Sequence, residues 1–439
     1  MKVQTILFKP PQTAETRYAV TPEMNAAVAA RHSRTPEGLD EIMRKVGGMS
    51  EAKAVDSIFK FVDYGHQSVL DMIPVSIHFE KVSLFFANMV WFLVKTGGGQ
   101  EQSTRYNPMQ GSDNFLGGET DLAKGYREAQ LKAIEIWSEI AKTEAAIPYL
   151  GGPDAPEPMK QRLARNFVFD RSRYWIPMTT FTNMNVTTWG REWARICSLL
   201  DSAPWAEFRE AAELIRAELS ISSPRLIRHS GRTDANVAWW TDLTDGWVAV
   251  ANHYETYERD TDVSVTFEYC EIGKPSQHWK IPRGNRYDPV DGSRRLIPVY
   301  YGWAGVSIAE MRDMNRHRPG ERMINMCPTG FYCAQDQFAE FGVPRAAYHE
   351  IEEAGNVAVE ACFNRMKEND VECVYDMPLG AMVAFTHSST LGNLIYECEL
   401  RTGPGTHYRY RKHYLDLVEE MKRKLPTIGP MLIGSGEPE

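Results

Sequence analysis

Three short sequence patterns occur twice in this chain, in the same order. Arg-His-Ser at residues 31–33 returns at 228–230. Ile-Pro-Val at 73–75 leads to Val-Ser-Leu at 82–84, and the same spacing joins Ile-Pro-Val at 297–299 to Val-Ser-Ile at 306–308. A weaker pair lies at 176–178 and 377–379. Ordered repetition of this kind predicts two diverged copies of one unit, residues 1–219 and 220–439, joined by a Ser-rich, Pro-ended linker at 220–224.

The size and charge of the chain restrict its function class. Its 439 residues suit two or three domains, and 43% hydrophobic with 24% charged residues is typical of a globular protein. A net charge of −9 argues against bulk binding to nucleic acid or anionic membranes. Seven cysteines without a Cys-x-x-Cys pair indicate a reducing compartment. With no apolar run of about 18 residues and no signal-peptide pattern at the N-terminus, the expected location is cytoplasmic, with no membrane partner.

Hydrophobic periodicity predicts a mixture of helices and strands in each copy. Residues 75–82 alternate as a half-buried strand, 82–94 form a buried apolar helix, and 307–315 form a helix with one apolar face. The second copy is expected to hold an insertion within 261–291. Long amphipathic helices are predicted at 120–143, 205–219, 346–368 and 408–424. The fold class is therefore α/β (α+β), each unit being a twisted sheet with long helices.

Arg316-His317-Arg318 ends the helix predicted at 307–315, because Pro319 and Gly320 stop it. Two guanidinium groups and an imidazole in one loop suit a pyrophosphate or an electron-rich cofactor. The alternative is a solvated basic helix end that complements the helix dipole.

A glycine-rich loop in the first copy is the second candidate site. Residues 97–106 read Gly-Gly-Gly-Gln-Glu-Gln-Ser-Thr-Arg-Tyr, and three glycines allow a ligand to approach the backbone closely. The amides, two hydroxyls and the arginine that follow suit a phosphate monoester. The alternative is a flexible turn.

These two motifs together resemble the signature of flavin-dependent thymidylate synthase (ThyX). That signature runs from Arg-His-Arg through seven residues ending in Glu-x to Ser-x-Arg-Tyr. The second copy keeps Arg316-His317-Arg318 and has lost the rest, whereas the first copy keeps Glu101, Ser103, Arg105 and Tyr106 and has lost Arg-His-Arg.

The resemblance also divides two further arginines between the copies. The family's nucleotide-contacting Arg matches Arg173 in the first copy and Val374 in the second. Its base-activating Arg matches Arg401 in the second copy, where the first has Leu199-Leu200. Family active sites form between subunits, so the retained residues are the two halves that one composite site needs.

The resemblance implies reductive C5-methylation of a uridine monophosphate, with FAD as cofactor, NADPH as reductant and methylenetetrahydrofolate as carbon donor. It implies a homodimer, because the family makes tetramers of single-length chains. Arg401 would be catalytic. The implied flavin-binding residues are Arg316, His317, Arg318, His66, Ser68, Glu101 and Arg191, and the implied substrate-binding residues are Gln102, Ser103, Thr104, Arg105, Arg173 and Asp313.

Asp313 departs from the family, which usually carries Gln there. A carboxylate at this position suits a ribose hydroxyl and favours UMP over dUMP. Some similar enzymes of the family methylate UMP in polyoxin-type nucleoside antibiotic pathways, and the resemblance implies that this long, diverged chain is one of that type. Two other functions remain open. One is an inactive flavin- or nucleotide-binding regulatory protein, and the other is a pyrimidine hydroxymethylase.

Overall fold

The computed structural model describes residues 1–6, 20–62, 67–104, 114–254, 256–257, 259–270, 283–290, 294–403 and 405–432. The chain divides into two compact units that are each discontinuous in sequence. Unit 1 contains residues 1–102 and 181–243, and unit 2 contains residues 103–180 and 244–439. Residues 103–180 of the predicted first repeat therefore lie in the same unit as most of the second repeat.

Each unit holds one four-stranded antiparallel sheet, and the two sheets have the same topology. In unit 1 the strand order is β1-β2-β4-β3, and in unit 2 it is β5-β6-β8-β7. The strands are β1 Lys2–Ile6, β2 Pro74–Ser83, β3 Gly98–Glu101, β4 Phe181–Trp189, β5 Ser264–Tyr269, β6 Pro298–Ser307, β7 Glu321–Phe331 and β8 Ala381–Thr390. The predicted pair of α+β repeats is confirmed by this shared order.

A bulge at the same place in both sheets supports the repeat. The register shifts between Phe79 and Val82 in β2 and between Trp303 and Val306 in β6. Lys81 and Gly305, which are equivalent by the repeat spacing, both have positive φ, 55° and 74°. A bulge bends its strand and increases the local twist, so the Val-Ser pattern marks a bend that precedes a helix in both repeats.

The helices agree with most of the sequence prediction. Ser83 caps the apolar helix α4, where its hydroxyl accepts from the amide of Phe86 at 2.9 Å. The helices are α1 Pro22–His32, α2 Leu39–Gly47, α3 Glu51–Val62, α4 Leu84–Leu93, α5 Asp121–Ile140, α6 Glu157–Ser172, α7 Gly190–Asp201, α8 Ala206–Ser222, α9 Asp234–His253, α10 Ile308–Met314, α11 Gln335–Glu340, α12 His349–Lys367, α13 Leu391–Arg401 and α14 Tyr408–Lys424. In the described part of the chain, no helix combines the length and apolarity that crossing a membrane requires.

Two sequence expectations differ from the structure. The linker expected at 220–224 is partly helical, because α8 continues to Ser222. The insertion expected at 261–291 includes strand β5, which occupies the same edge position as β1. Residues 264–269 therefore belong to the repeated fold and are not inserted. Division of the repeats at residue 219 stays a prediction.

The third pair of repeated segments forms a direct contact within unit 2. Pro177 and Pro378 are antiparallel bridge partners. The amide of Met178 donates to the carbonyl of Met377 at 2.9 Å, and the amide of Leu379 donates to the carbonyl of Ile176 at 2.8 Å. Equivalent residues of the two repeats thus exchange reciprocal hydrogen bonds, as they do around a local two-fold axis.

Candidate functional site

The Arg-His-Arg motif lies in a short loop between α10 and β7. Helix α10 ends at Met314, and the chain turns through Pro319 and Gly320 into β7. Gly320 has φ +117°, and a Cβ added there would lie 2.2 Å from the carbonyl oxygen of Ser388. Glycine is required at this turn, which fixes the loop beside the sheet.

His317 and Arg401 are joined by a hydrogen bond. Arg401, the last residue of α13, donates from Nε to Nε2 of His317 at 2.9 Å. The Tyr410 hydroxyl lies 3.3 Å from the same nitrogen, and the Arg401 guanidinium lies 5.4 Å from the Tyr410 ring centroid. Burial, followed by the positive charge of Arg401, lowers the pKa of His317 well below its usual value. The imidazole is therefore neutral, and its Nε2 accepts a hydrogen bond from Arg401 Nε.

Asp313, on the last turn of α10, lies among arginines from both repeats. Its Oδ1 is 3.8 Å from Nη1 of Arg316. Burial raises the pKa of this carboxyl, but Arg316, Arg173 and Arg401 together outweigh burial and hold the pKa below its ordinary value. Asp313 is therefore ionised, and arginines of both repeats act on it.

Arg173 is held by a buried carboxylate. It lies in a short 3-10 turn after α6, and its Nη2 donates to Glu310 Oε1 at 3.2 Å and to the carbonyl of Ala309 at 3.3 Å. The Tyr174 hydroxyl donates to the same Glu310 oxygen at 3.1 Å. The buried Nε of Arg173 has no hydrogen-bond partner among the described residues. One donor of this guanidinium is thus available for a ligand.

Two further arginines make the loop strongly electropositive. Burial lowers the pKa of Arg318. Burial and the nearby charge of Arg318 lower the pKa of Arg322 to about 10. Arg322 also donates to the carbonyl of Asn315. Because these cations are partly desolvated and repel one another, an anionic ligand at the loop would stabilise them.

Other predicted site residues lie in unit 1. Ser68 is exposed in a 3-10 turn, and Glu101 accepts from Trp91 Nε1 at 3.0 Å. Gln102 accepts from Asn183 Nδ2 at 3.3 Å. Arg191 pairs with Asp71 at 2.5 Å and lines a cavity of about 1070 Å³. These four residues belong to unit 1, whereas Asp313 belongs to unit 2.

The remaining predicted residues are Ser103 and Thr104, which are half-buried in unit 2, and His66 and Arg105, which lie outside the described residues. Unit 2 therefore gathers Arg173, Asp313, Arg401 and the Arg-His-Arg loop. These residues are called the Asp313 cluster below.

Sequence reasoning missed several buried polar residues around this cluster. They are Glu310, Arg322 and Tyr410, together with Tyr301, His387 and Glu397 behind the loop. Two of them carry a sequence signal: Glu310 follows Ser307 at capping-box spacing, and Glu397 lies one helical turn before Arg401. Tyr301, Tyr410 and His387 lie on three separate elements, β6, α14 and β8, and no sequence motif joins them.

One family model matches part of this chain. Residues 16–225 match the model of the family Thy1, thymidylate synthase complementing protein. The family resemblance inferred from the sequence is therefore confirmed over this range. No match was found among curated proteins.

Two solved structures are similar to about half of this chain. One is a UMP/dUMP methylase, PolB from Streptomyces cacaoi, bound with 5-Br dUMP, with 15% identity, a TM-score of 0.30, and coverage of 52% of this chain and 94% of that chain. The other is flavin-dependent thymidylate synthase ThyX from Helicobacter pylori complexed with FAD and dUMP, with 12% identity, a TM-score of 0.28, and coverage of 53% of this chain and 100% of that chain.

Proposed function

We propose that the protein is a flavin-dependent enzyme that methylates C5 of a uridine monophosphate, UMP or dUMP, in a composite site built from both repeats. The observation that carries this proposal is Asp313, whose ionised carboxylate is flanked by Arg173 from the first repeat and by Arg316 and Arg401 from the second. The residues of the family motif are likewise divided between the two repeats along the sequence. If the site needs arginines from both repeats, each repeat has to keep only its own part of the family motif.

The residues around the loop fit FAD and a nucleotide. Arg318 and Arg322 are partly desolvated cations, and with Arg316 of the same motif they suit the pyrophosphate or the electron-rich ring edge of a flavin. Hydride and one-carbon chemistry are beyond amino-acid side chains, and FAD supplies them when bound, with NADPH as reductant and methylenetetrahydrofolate as carbon donor.

The chain's own residues would bind and orient the nucleotide. Arg173 would hold the 5′-phosphate with its remaining donors, joined by Ser103 and Thr104. Arg401 would lie at the uracil edge and stabilise negative charge as N3 ionises and C5 becomes nucleophilic. Because neutral His317 accepts from Arg401 Nε, the direction of that guanidinium is fixed before substrate binds.

The direct test combines the flavin spectrum with product mass. Purified protein should bind FAD with an absorbance change, and Arg318→Ala should weaken that binding. With methylenetetrahydrofolate, NADPH and UMP or dUMP, the product should gain one methyl group. A hydroxymethyl gain would identify the hydroxymethylase instead, flavin binding with unchanged nucleotide would identify a binding protein, and protein that binds no flavin would contradict the proposal.

Asp313 gives a test of the substrate. Its carboxylate can accept a hydrogen bond from a ribose 2′-hydroxyl, which dUMP lacks. A hydrogen bond to a charged group contributes about 1.5–3 kcal/mol, so Asp313→Ala should lower the UMP-to-dUMP ratio of kcat/KM about 10- to 100-fold. Exposed Asp416 of α14 provides the control, since Asp416→Ala should leave the ratio unchanged. A wild-type preference for dUMP would exclude this role.

A further inference from the structure

A buried polar cluster lies behind the Arg316–Gly320 loop. It consists of Tyr301 on β6, His387 on β8, Glu397 on α13 and Tyr414 on α14. Glu397 is 2% exposed and His387 is 1% exposed. These four residues, called the Glu397 cluster, contribute nothing to the ligand contacts proposed above.

The hydrogen-bond pattern assigns the protons in this cluster. His387 Nε2 lies 3.0 Å from the carbonyl oxygen of Pro319, which can only accept, so Nε2 carries a proton. Burial and the charge of Arg322 lower the pKa of His387 to about 4, so the ring is neutral and Nδ1 is an acceptor. The Tyr301 hydroxyl, 2.7 Å from Nδ1, must therefore donate to it.

Glu397 then has to donate to Tyr301. Its Oε2 lies 2.7 Å from the Tyr301 hydroxyl, whose single proton is already used by His387. The hydrogen bond requires a protonated Oε2. The other carboxyl oxygen, Oε1, is buried and has no hydrogen-bond partner among the described residues. An unpaired buried oxygen is far less unfavourable as the carbonyl of a neutral acid than as part of a carboxylate.

The groups that face Glu397 do not reverse this assignment. Tyr301, Tyr414, Arg401 and Arg322 each favour the ionised form, but burial outweighs them and raises the pKa of Glu397 to about 8. His387 Nδ1 lies 3.7 Å from Oε1, where a protonated imidazole would also favour ionisation. The neutral acid and the neutral imidazole thus form a directed chain from Glu397 through Tyr301 and His387 to Pro319.

We propose that Glu397 is a positioning residue that, while protonated, holds the Arg316–Gly320 loop in place through Tyr301 and His387. Ionisation removes the donor at the start of the chain, so Tyr301 turns its proton to the carboxylate and His387 loses its partner at Nδ1. The loop that carries Arg318, and with it ligand binding, is then sensitive to rising pH. The link to ligand binding rests on the proposed function, but the proton chain itself does not.

The sign of the pH effect follows from the direction of the pKa shift. Because the folded-state pKa of Glu397 is raised above 4.5, its contribution to stability is complete below about pH 4.5 and is lost as pH rises to about 8. Glu397→Gln replaces the neutral acid with an amide that donates to Tyr301 at any pH. The melting temperature of E397Q should therefore rise relative to wild type by about 2 °C per pH unit between these limits.

Thermal unfolding across pH tests the chain, with Glu213→Gln on the exposed face of α8 as the control. We expect a pH-dependent difference for E397Q and a constant difference for E213Q. The infrared spectrum should contain the C=O stretch of a protonated carboxylic acid that E397Q lacks. Equal pH profiles for wild type and E397Q, or absence of that band, would overturn the proposal.

Flavin titration separates this proposal from the proposed function. FAD affinity of wild type should fall about tenfold between pH 7 and pH 9, with E397Q unaffected. If FAD does not bind but the unfolding and infrared results hold, the proton chain stands and the enzymatic function fails. If FAD binds to wild type and E397Q with the same pH profile, the proposed effect of Glu397 on the loop is wrong.

Discussion

The direction of the Arg401 guanidinium depends on the protonation of one imidazole. His317 accepts from Arg401 Nε only while Nε2 carries no proton, and burial keeps the ring neutral. An arginine fixed in this way needs little reorganisation when charge develops on a bound uracil, which is the condition for strong electrostatic stabilisation.

Replacing Arg401 should abolish most of the turnover and leave the fold intact. We expect Arg401→Ala to lower kcat about 10²- to 10³-fold. Arg401→Lys keeps the charge but loses the Nε donor to His317, so it should also lose most activity. Arg423→Ala, an exposed arginine paired with Glu420 on α14, is the control and should be unchanged. Steady-state kinetics with circular dichroism will check this, and an active Arg401→Ala variant would contradict the role.

The sequence predicted one part of the Asp313 cluster and missed another for a physical reason. The resemblance to the flavin-dependent thymidylate synthase signature implies roles for Asp313, His317 and Arg401. Glu310 and Glu397 carry only weak local signals, and their roles depend on partners 137 and 96 residues away, Arg173 and Tyr301. No local pattern encodes contacts at such separations.

Helix α12 packs against strand β7 through a glycine. A Cβ added to Gly355 would lie 2.0 Å from Cε1 of the Phe331 ring, in a place where ring and helix are both buried. Gly125 of α5 is also inside a helix, but nothing lies within 4 Å of an added Cβ. Alanine substitutions at these two glycines therefore separate the effect of packing on stability from the effect of helix propensity.

The two alanine variants should change stability in opposite directions. Gly355→Ala overpacks the contact with Phe331 and should lower the free energy of unfolding by about 1–3 kcal/mol. Gly125→Ala should raise it by about 0.5–1 kcal/mol, because alanine favours the helix. Denaturant titration of both variants will measure the difference, and similar effects of the two substitutions would contradict the packing assignment.

At the scale of elements, sequence hydrophobicity predicted six of the helices, α4, α5, α8, α10, α12 and α14, from a long apolar run in α4 and from apolar faces of helical period in the others. Helix α14 begins and ends at the predicted residues, 408 and 424. Strand β5 was not predicted, because Ser264–Tyr269 is short and only one of its six residues is buried. A sheet-edge strand of this kind is defined by pairing with β6, which the sequence pattern does not contain.

In the whole molecule, the two compact units do not coincide with the two repeats of the sequence. Unit 2 joins residues 103–180 to residues 244–439 through the Pro177–Pro378 bridge and through Trp137, whose ring stacks on Phe338 at 4.5 Å. Arg171 also donates to Gln337 at 2.7 Å. The sequence predicted the repeats. It did not predict that residues 103–180 of the first repeat belong to the same unit as most of the second, because this assignment leaves the repeat pattern unchanged.

Cutting the chain at the repeat boundary should therefore destroy unit 2. Residues 220–439 expressed alone should lack a cooperative thermal transition, because the contacts of Trp137 and Arg171 are missing. Co-expression with residues 1–219 should restore the transition. Calorimetry and tryptophan fluorescence will measure thermal unfolding of both samples. A cooperative transition of the 220–439 fragment alone, at the temperature of the full chain, would show that residues 103–180 are unnecessary.

The homodimer implied by the family resemblance stays a prediction for the whole molecule. Light scattering on the full chain will check it, since the expected mass is twice 49.9 kDa. A monomer with full activity would place the composite site within one chain.

The discontinuity of unit 2 also has a consequence during synthesis. Helix α6 ends about 220 residues before strand β8 is complete, which at about 5–20 residues per second is a delay of roughly 10–40 s. During that delay α5 and α6 can pack against each other, but the surfaces that later contact residues 244–439 stay uncovered. We therefore expect chaperone supply and translation speed to govern the yield of the folded protein.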